Sequence, residues 1–511
     1  MTSLADMGKL LKDGHQGNAP PVPRPQHEKF SRAICGLLLL AAPAAGAEKP
    51  NVLFISCDDL NDWVGFLGGH PQVKTPHLDA LAARGTAFTN AHCQSPLCNP
   101  SRTSVLTGLR PTTTGVYALA PWFRTSEKLK NRETVFQHFR KNGYRTITGG
   151  KVFHDAYPPK EGRVDGVEVD VWGTHGGFTP RPKAKFVNTP DPNPLVDWGA
   201  FPDKDEECYD HDIGTWAVNQ LKNPPKVPFF LAVGFRHPHV PCYAPPKWFD
   251  VYPDADLKMP PVKADDRDDL PRFASYLHWK LPEPRLKWLE ESKQWRPLVR
   301  AYLASVSYAD MQVGRVLKQL ADSGLEKNTI IVFWSDHGWH LGEKGITGKN
   351  TLWERSTRVP LVFAGPGVSK GKCGRPAELL DLYPTLAELC GLPKADVEGL
   401  SLVPQLKDAA APRERPAITT HNPGNHSVRT ERWRYIRYAD GSEEMYDLAA
   451  DPNEWTNLAA KHADVRKELA RWMPASAPPL PGSAGRILTF DHGIPVWEGI
   501  PIGKDDPFPE K

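Results

Sequence analysis

The chain has 511 residues, 40% of them hydrophobic and 24% charged, a globular composition with room for one large core and a smaller domain. Its net charge is only +3, with no basic tail or stripe, which excludes a charge-built nucleic-acid surface and gives no nucleic-acid partner. Proline, at 52 residues, is about twice its usual share of ~5% and is spread along the chain, as stiffened loops on a folded scaffold require.

Residues 33–45 form an apolar run preceded by Lys29 and Arg32 and followed by Ala45-Gly46-Ala47, the pattern of a secretory leader with a small-residue cleavage site. The run is too short to span a membrane as a helix, and we expect no integral membrane segment in the mature chain. We read residues 1–47 as a leader removed on export to the periplasm or the medium, 48–415 as a catalytic domain and 416–511 as a C-terminal subdomain. The leader carries five Lys/Arg and three Asp/Glu, leaving 58 basic and 57 acidic residues, a net +1.

Of eight cysteines, Cys35 leaves with the leader and Cys98 stands apart at the start of Cys98-Asn99-Pro100-Ser101-Arg102. Cys57, Cys93, Cys208, Cys242, Cys373 and Cys390 remain, and six thiols allow fifteen connectivities. Cys373 and Cys390, close in sequence, form the nearest candidate disulfide. No Cys-x-x-Cys pair indicates structural zinc.

Asn51-Val52-Leu53-Phe54-Ile55-Ser56 is a continuous apolar run of the kind buried on both faces of a sheet, and it leads into Asp58-Asp59. A helix follows near His77 to Arg84, with Gly85 as its left-handed stop. Pro100 suits the first position of a second helix, which puts Cys98 just before its N-terminus and Gly108 at its end. A third helix spans Glu133 to Asn142, ended by Gly143. Three more strand-like runs then each lead into a polar cluster. Arg145 to Thr148 precedes Gly149-Gly150-Lys151-Val152-Phe153-His154, and Phe229 to Val233 precedes Arg236-His237-Pro238-His239. After helical spacing from Leu298 to Leu320, Thr329 to Trp334 precedes Ser335-Asp336-His337-Gly338. Val359 to Ala364 closes the series. Strands alternating with helices indicate an α/β fold with a large, mostly parallel sheet flanked by helices. Such sheets bind ligands beyond the carboxyl ends of their strands, so the four clusters should meet although they span about 280 residues.

Two intervals rich in Pro, charge and Trp, 155–210 and 243–296, are long enough to serve as walls of a substrate cleft. From Ala417 onward, short strands around Ser427, Trp433 and Glu444, an Asp440-Gly441 hairpin turn and a helix near Ala463 to Trp472 indicate a small antiparallel sheet.

Adjacent carboxylates converging in one pocket repel unless a cation lies between them, so Asp58, Asp59, Asp336 and His337 are candidate metal ligands. Oxygen-rich ligation favours Ca²⁺ or Mg²⁺, and the single His leaves Zn²⁺ or Mn²⁺ open. At a helix N-terminus, Cys98 lies where backbone N–H groups favour an anion, and Arg102, one turn on, adds a fork of donors. Lys151, His154, His239 and Lys349 supply cations and proton carriers from three further segments.

Cys98-x-Pro100-Ser101-Arg102-x-x-x-Leu106-Thr107-Gly108 resembles the signature of type I sulfatases, enzymes of the alkaline phosphatase superfamily. Gly-Lys151-Val-Phe-His154, His237-Pro-His239-Val-Pro, Asp336-His337-Gly-Trp339, Leu341-Gly-Glu343 and Lys349 resemble the iduronate-2-sulfatase branch. Tyr446-Asp447-Leu448 followed by Asp451-Pro-Asn-Glu454 resembles the family's C-terminal sheet. The resemblance implies an alkaline-phosphatase-like fold and a Cys98 matured to formylglycine by a dedicated enzyme. It also implies one Ca²⁺ bound by Asp58, Asp59, matured Cys98, Asp336 and His337. In that reading the hydrated aldehyde attacks the sulfur of a sugar sulfate ester, and Arg102, Lys151 and Lys349 stabilise the sulfuryl oxygens. His239, with Lys349 nearby, protonates the departing alcohol, and His154 helps regenerate the aldehyde. Trp339 and Arg236 are candidate substrate contacts. The rival readings are a phosphate or phosphonate ester hydrolase of the same superfamily, a silent carbohydrate-binding protein, and a thiol hydrolase using Cys98 with His154.

Overall fold

A computed structural model of the protein describes residues 49–509 apart from 156, 176, 178 and 179. The leader expected at 1–47 lies outside the described residues. Eight strands build the main sheet: β1 (Asn51–Asp58), β2 (Thr86–Phe88), β3 (Arg145–Gly150), β4 (Val171–Trp172), β5 (Phe229–Pro238), β6 (Thr329–Ser335), β7 (Leu361–Ala364) and β8 (Gly371–Cys373). Their spatial order is β8-β2-β7-β6-β1-β5-β3-β4. All neighbours run parallel except β7, which is antiparallel to both β6 and β2. The connection from β6 to β7, residues 336–360, holds a short antiparallel ribbon (His340–Leu341 with Thr347–Gly348), a 3-10 turn (Glu343–Gly345) and a one-turn helix (Glu354–Thr357), with no long helix to cross a face of the sheet, and the chain returns in the opposite sense.

β1 is buried along its whole length, and its side chains alternate between two apolar layers. Leu53, Ile55 and Cys57 enter one layer, which includes the apolar face of α5 (Trp295–Asp322). Val52 and Phe54 enter the other, with residues of α2 (Cys98–Thr107), α3 (Val135–Lys141) and α6 (Leu382–Leu389). α1 (Pro76–Arg84) precedes α2 in the chain, and α4 (Tyr209–Lys222) lies between α3 and α5. Strands β6, β1, β5 and β3 are consecutive and parallel, so the four polar clusters that follow them form one row about 15 Å long at the usual strand spacing.

Several local expectations are amended. Cys98 is the first residue of α2 rather than the residue before it, with Leu97 as the cap and Ser101 N–H bonded to Leu97 O at 3.1 Å. Gly108 does end α2 in the left-handed conformation, φ 67°. Gly85 does not end α1 that way: it is extended at φ −134°, and it must be glycine because a Cβ there would meet Phe363 O at 2.0 Å. The candidate Cys373–Cys390 disulfide is absent, and both thiols are free. Cys373 ends the edge strand β8, whereas Cys390 ends α6 and bonds to Tyr144.

The C-terminal sheet is antiparallel, β9 (Ala417–Thr420), β10 (His426–Arg429), β11 (Trp433–Arg437) and β12 (Glu443–Asp447) in chain order. Gly441 takes φ 85° in the turn between the last two strands. Arg434 of β11 is fully buried and donates to Leu352 O at 2.7 Å and Thr357 Oγ1 at 3.0 Å. It thereby ties this sheet to the segment that carries Lys349.

Burial holds several of the described histidines neutral, His340 and His426 among them. His340 and His426 are each pushed down to about 3, burial being the first cause. Below pH 6.5 the unfolded chain takes up these protons and the native state does not, so stability is lost as pH falls from 6.5 toward 3. At pH 5 each site costs about 2 kcal/mol. His426→Gln keeps groups able to bond Thr420 and Ser476, the partners of the ring. The melting temperature of this variant is expected to fall less than wild type between pH 6.5 and 5; an identical fall in calorimetry would remove His426 from the account.

Candidate active site

The turn after β1 sets the geometry. Asp59 is a non-glycine residue at φ 60°, and this left-handed turn lets its N–H donate to Asp336 Oδ1 at 3.1 Å, across to the end of β6. Tyr302 of α5 fixes the turn from below, donating to Asp59 O at 2.7 Å and accepting from Asn61 N–H at 3.0 Å.

Arg102, on the second turn of α2, fills the gap between the two strand ends. Its Nη2 donates to Asp58 Oδ1 at 3.1 Å and its Nε to Asp336 Oδ2 at 3.0 Å, while Nη1 bonds the Lys151 and Val152 carbonyls after β3. One guanidinium thus joins the ends of three strands. Ser101 adds a bond to Asp336 O at 2.6 Å.

Cys98 Sγ sits inside this frame. His337 Nε2 lies 3.3 Å from it, Lys349 Nζ 3.1 Å and Lys151 Nζ 3.9 Å, and His154 also bonds to the sulfur. Lys151 pairs with Asp58, and Lys349 with Asp59 Oδ1 at 2.6 Å. Burial would raise the Cys98 thiol, yet Lys151, Lys349 and His337 hold it well below the ordinary value. The pocket therefore favours negative charge at position 98.

Asp58, Asp59, Cys98 and His337 each offer a ligand atom, and these atoms lie within 4.8 Å of one another. Asp336 stands just behind, its oxygens bonded to Arg102 and to the Asp59 and His337 amides, with Oδ2 3.5 Å from His337 Nε2. Two features fit a cation here. Asp59 Oδ2 is buried without a hydrogen-bond partner, a costly state for a carboxylate oxygen. Burial also pushes Asp336 up to about 7 against the pull of Arg102. His337 Nδ1 lies 3.1 Å from Gly338 O, so Nδ1 donates there and Nε2 is turned toward Asp59 Oδ1 at 3.3 Å.

The remaining expected residues border the same space. His239 Nδ1 donates to Val240 O at 2.6 Å, which turns Nε2 toward Asp59 Oδ2 at 3.7 Å. Arg236 pairs with Asp155 at 2.6 Å, and Asp155 is also 3.7 Å from Lys151. Trp339 is only 2% exposed and packs in the core with its ring beneath Lys349 Nζ, rather than offering an open face to a sugar.

Four residues beside the cluster, Asp155, Glu283, Asn350 and Arg486, are not among those expected from the sequence. Asp155 directly follows His154 at a strand end, so its position carried a signal. Glu283 is brought in by the second long interval and pairs with Arg486 at 3.0 Å. Arg486 also donates to Asn350 Oδ1 at 3.0 Å, beside Lys349. No spacing in the chain announces that contact, because Arg486 follows the C-terminal sheet.

Residues 50–392 match the Sulfatase family, and 342–476 match the family described as N-sulphoglucosamine sulphohydrolase, C-terminal. A "sulfatase" of Formosa agariphila is 43% identical over 435 residues, covering 81% of this chain and 83% of that protein. Human iduronate 2-sulfatase is 33% identical over 486 residues, covering 88% and 85%. The solved phosphonate monoester hydrolase of Agrobacterium radiobacter shares the fold, with a TM-score of 0.66 at 23% identity over 83% of this chain and 94% of that one. With the family matched over most of its length and an alkaline-phosphatase-like sheet gathering the site, the chain belongs to the sulfatase family and is a sulfuric ester hydrolase.

Proposed function

We propose that the enzyme removes sulfate from a sulfated carbohydrate, using a formylglycine made from Cys98 and one divalent cation. The observation that carries this reading is the convergence of Asp58, Asp59, Cys98 and His337 within 4.8 Å, with two lysines on the Cys98 sulfur. The likeness to iduronate 2-sulfatase favours a sulfated uronate or related sugar as substrate.

Asp58, Asp59, residue 98 and His337, with Asp336 behind them, would hold the ion, for which Ca²⁺ suits the oxygen-rich set. Bound there, it would supply positive charge to the sulfuryl oxygens and to residue 98. Maturation oxidises the Cys98 side chain to an aldehyde, whose hydrate offers one hydroxyl to attack sulfur and a second whose loss of a proton re-forms the aldehyde C=O as the C–O bond to the sulfate breaks.

The protein's own residues do the rest. The Cys98 sulfur marks where a hydroxyl of the matured residue would lie. Lys349 and Lys151, bonded to Asp59 and Asp58, are held with their ammonium groups toward that point, so they meet charge growing on the sulfuryl oxygens without reorganising. Arg102 fixes the two aspartates and adds to the positive field. His239 presents Nε2, because its other nitrogen is committed to Val240 O, and it protonates the departing alcohol. His154, bonded to the sulfur position, receives a proton from the second hydroxyl. Arg236 and Asp155 form the rim against which the sugar rests, and Trp339 contributes through Lys349. Residues 1–47 are proposed as an export leader and 416–511 as a subdomain bracing the Lys349 segment. No helix among the described residues is long and apolar enough to cross a membrane.

Mass spectrometry of the Cys98 peptide from active enzyme is expected to show an aldehyde in place of the thiol; only unmodified Cys in active protein would overturn the mechanism. Cys98→Ala should lower kcat for 4-nitrophenyl sulfate by at least about 10³-fold while leaving the melting temperature within a few degrees. The same alcohol presented as its phosphate should turn over far more slowly, and faster phosphate release would favour the phosphohydrolase reading. EGTA should lower both activity and melting temperature, with Ca²⁺ restoring both; a saturating ion is worth on the order of 3 kcal/mol. Indifference to chelation would remove the cation.

A further inference from the structure

We infer that Asp210, a residue outside the catalytic cluster, is the positioning residue for the proposed general acid, acting through His237 and an irregularity in β5. The inference rests on the assignment of His239 made above.

Strands β1 and β5 pair in register up to Ser56 opposite Gly234, and the next pair is Asp58 opposite Pro238. Four steps along β5 are therefore matched by two along β1, and residues 235–237 are looped out of the ladder. A bulge at this depth leaves buried backbone N–H groups without a strand partner. Asp210, in the first turn of α4, supplies what β1 does not. Its Oδ1 and Oδ2 each lie 3.0 Å from Arg236 N, and Oδ2 also accepts from His237 N at 2.9 Å.

The same carboxylate clamps the His237 ring. Nδ1 lies 2.7 Å from Asp210 Oδ2, Nε2 lies 2.8 Å from Tyr243 O, and the ring meets Tyr308 edge-on at 4.7 Å between centroids. His237 is thus tied to α4 on one side and to Tyr243, beyond the turn, on the other. His239 lies on the turn between these ties, and its N–H bonds back to Arg236 O at 2.8 Å. The direction of its Nε2 toward Asp59 is consequently fixed by Asp210, whose carboxylate is 1% exposed and committed to the Arg236 and His237 amides and the His237 ring. The shape of β5 and the aim of the acid are one feature.

The test separates positioning from folding by the leaving group. A phenolate as stable as 4-nitrophenolate departs with little help, whereas phenolate itself needs the proton. Asp210→Asn keeps an oxygen for the backbone amides but loses the carboxylate at His237. It is expected to lower kcat/KM about 30-fold for phenyl sulfate and less than about 3-fold for 4-nitrophenyl sulfate, with His239→Asn showing the same selectivity more strongly. His237→Gln, which leaves Asp210 on the amides, should reproduce the pattern and serves if Asp210→Asn does not fold. Equal losses on both esters, or no loss, in the folded variant while His239→Asn remains selective would overturn the role of Asp210 alone. If His239→Asn is not selective, the acid assignment falls and this inference with it.

Discussion

The structure depends on one buried guanidinium. Arg102 bridges Asp58 and Asp336, the carboxylates at the ends of adjacent parallel strands, and holds the turn after β3 through two carbonyls. Each of these charges is almost completely buried, and bringing them out of water costs several kcal/mol per ion before their mutual attraction offsets it. Such a cluster is a poor way to stabilise a fold and an effective way to fix the relative heights of three strand ends. The two apolar layers around β1 supply the stability that lets the protein carry it.

Much of the frame was legible because the signals are local and redundant. A strand buried on both faces has to be apolar throughout, so 51–56, 229–233 and 329–334 declared themselves, and the polar residues that follow them could only be turns or a site. Parallel pairing then brings the clusters together without any long-range information. The direction of β7 was not legible, because its sequence is apolar in either sense and the connection before it carries only short elements instead of a crossover helix. Gly85 was misread for a related reason. A glycine after a helix usually marks a left-handed turn, but here a neighbouring carbonyl leaves no room for a Cβ. The chain itself carries no trace of that neighbour.

The site divides in the same way. Residues adjacent to strand ends, Asp58, Asp59, Lys151, His154, Asp336 and His337, could be picked out from position alone. Those that act across the fold could not. Asp210 reads as an ordinary acid in the first turn of a helix, where the dipole alone would account for it. Arg486 and Glu283 are brought together from segments two hundred residues apart, and neither has a patterned surrounding. Trp339 erred in the opposite direction: its neighbours in sequence are catalytic candidates, yet the side chain is packed inward, as a large aromatic beside a buried strand end usually is.

Asp59 shows why these departures from regular structure gather in one place. It combines a left-handed backbone, a fully buried carboxylate and an unpartnered oxygen, three features that each raise the energy of the folded chain. None is needed for the sheet, since β1 is complete before it. Together they turn the Asp59 amide to Asp336, its Oδ1 to Lys349 and its Oδ2 to open acceptor duty beside His239. A residue in relaxed extended geometry would continue the strand and point its side chain away from Asp58, because successive side chains alternate. The left-handed turn is therefore the device that puts two consecutive carboxylates on one side of the sheet end, and a fold without it would offer a cation only half of the pair.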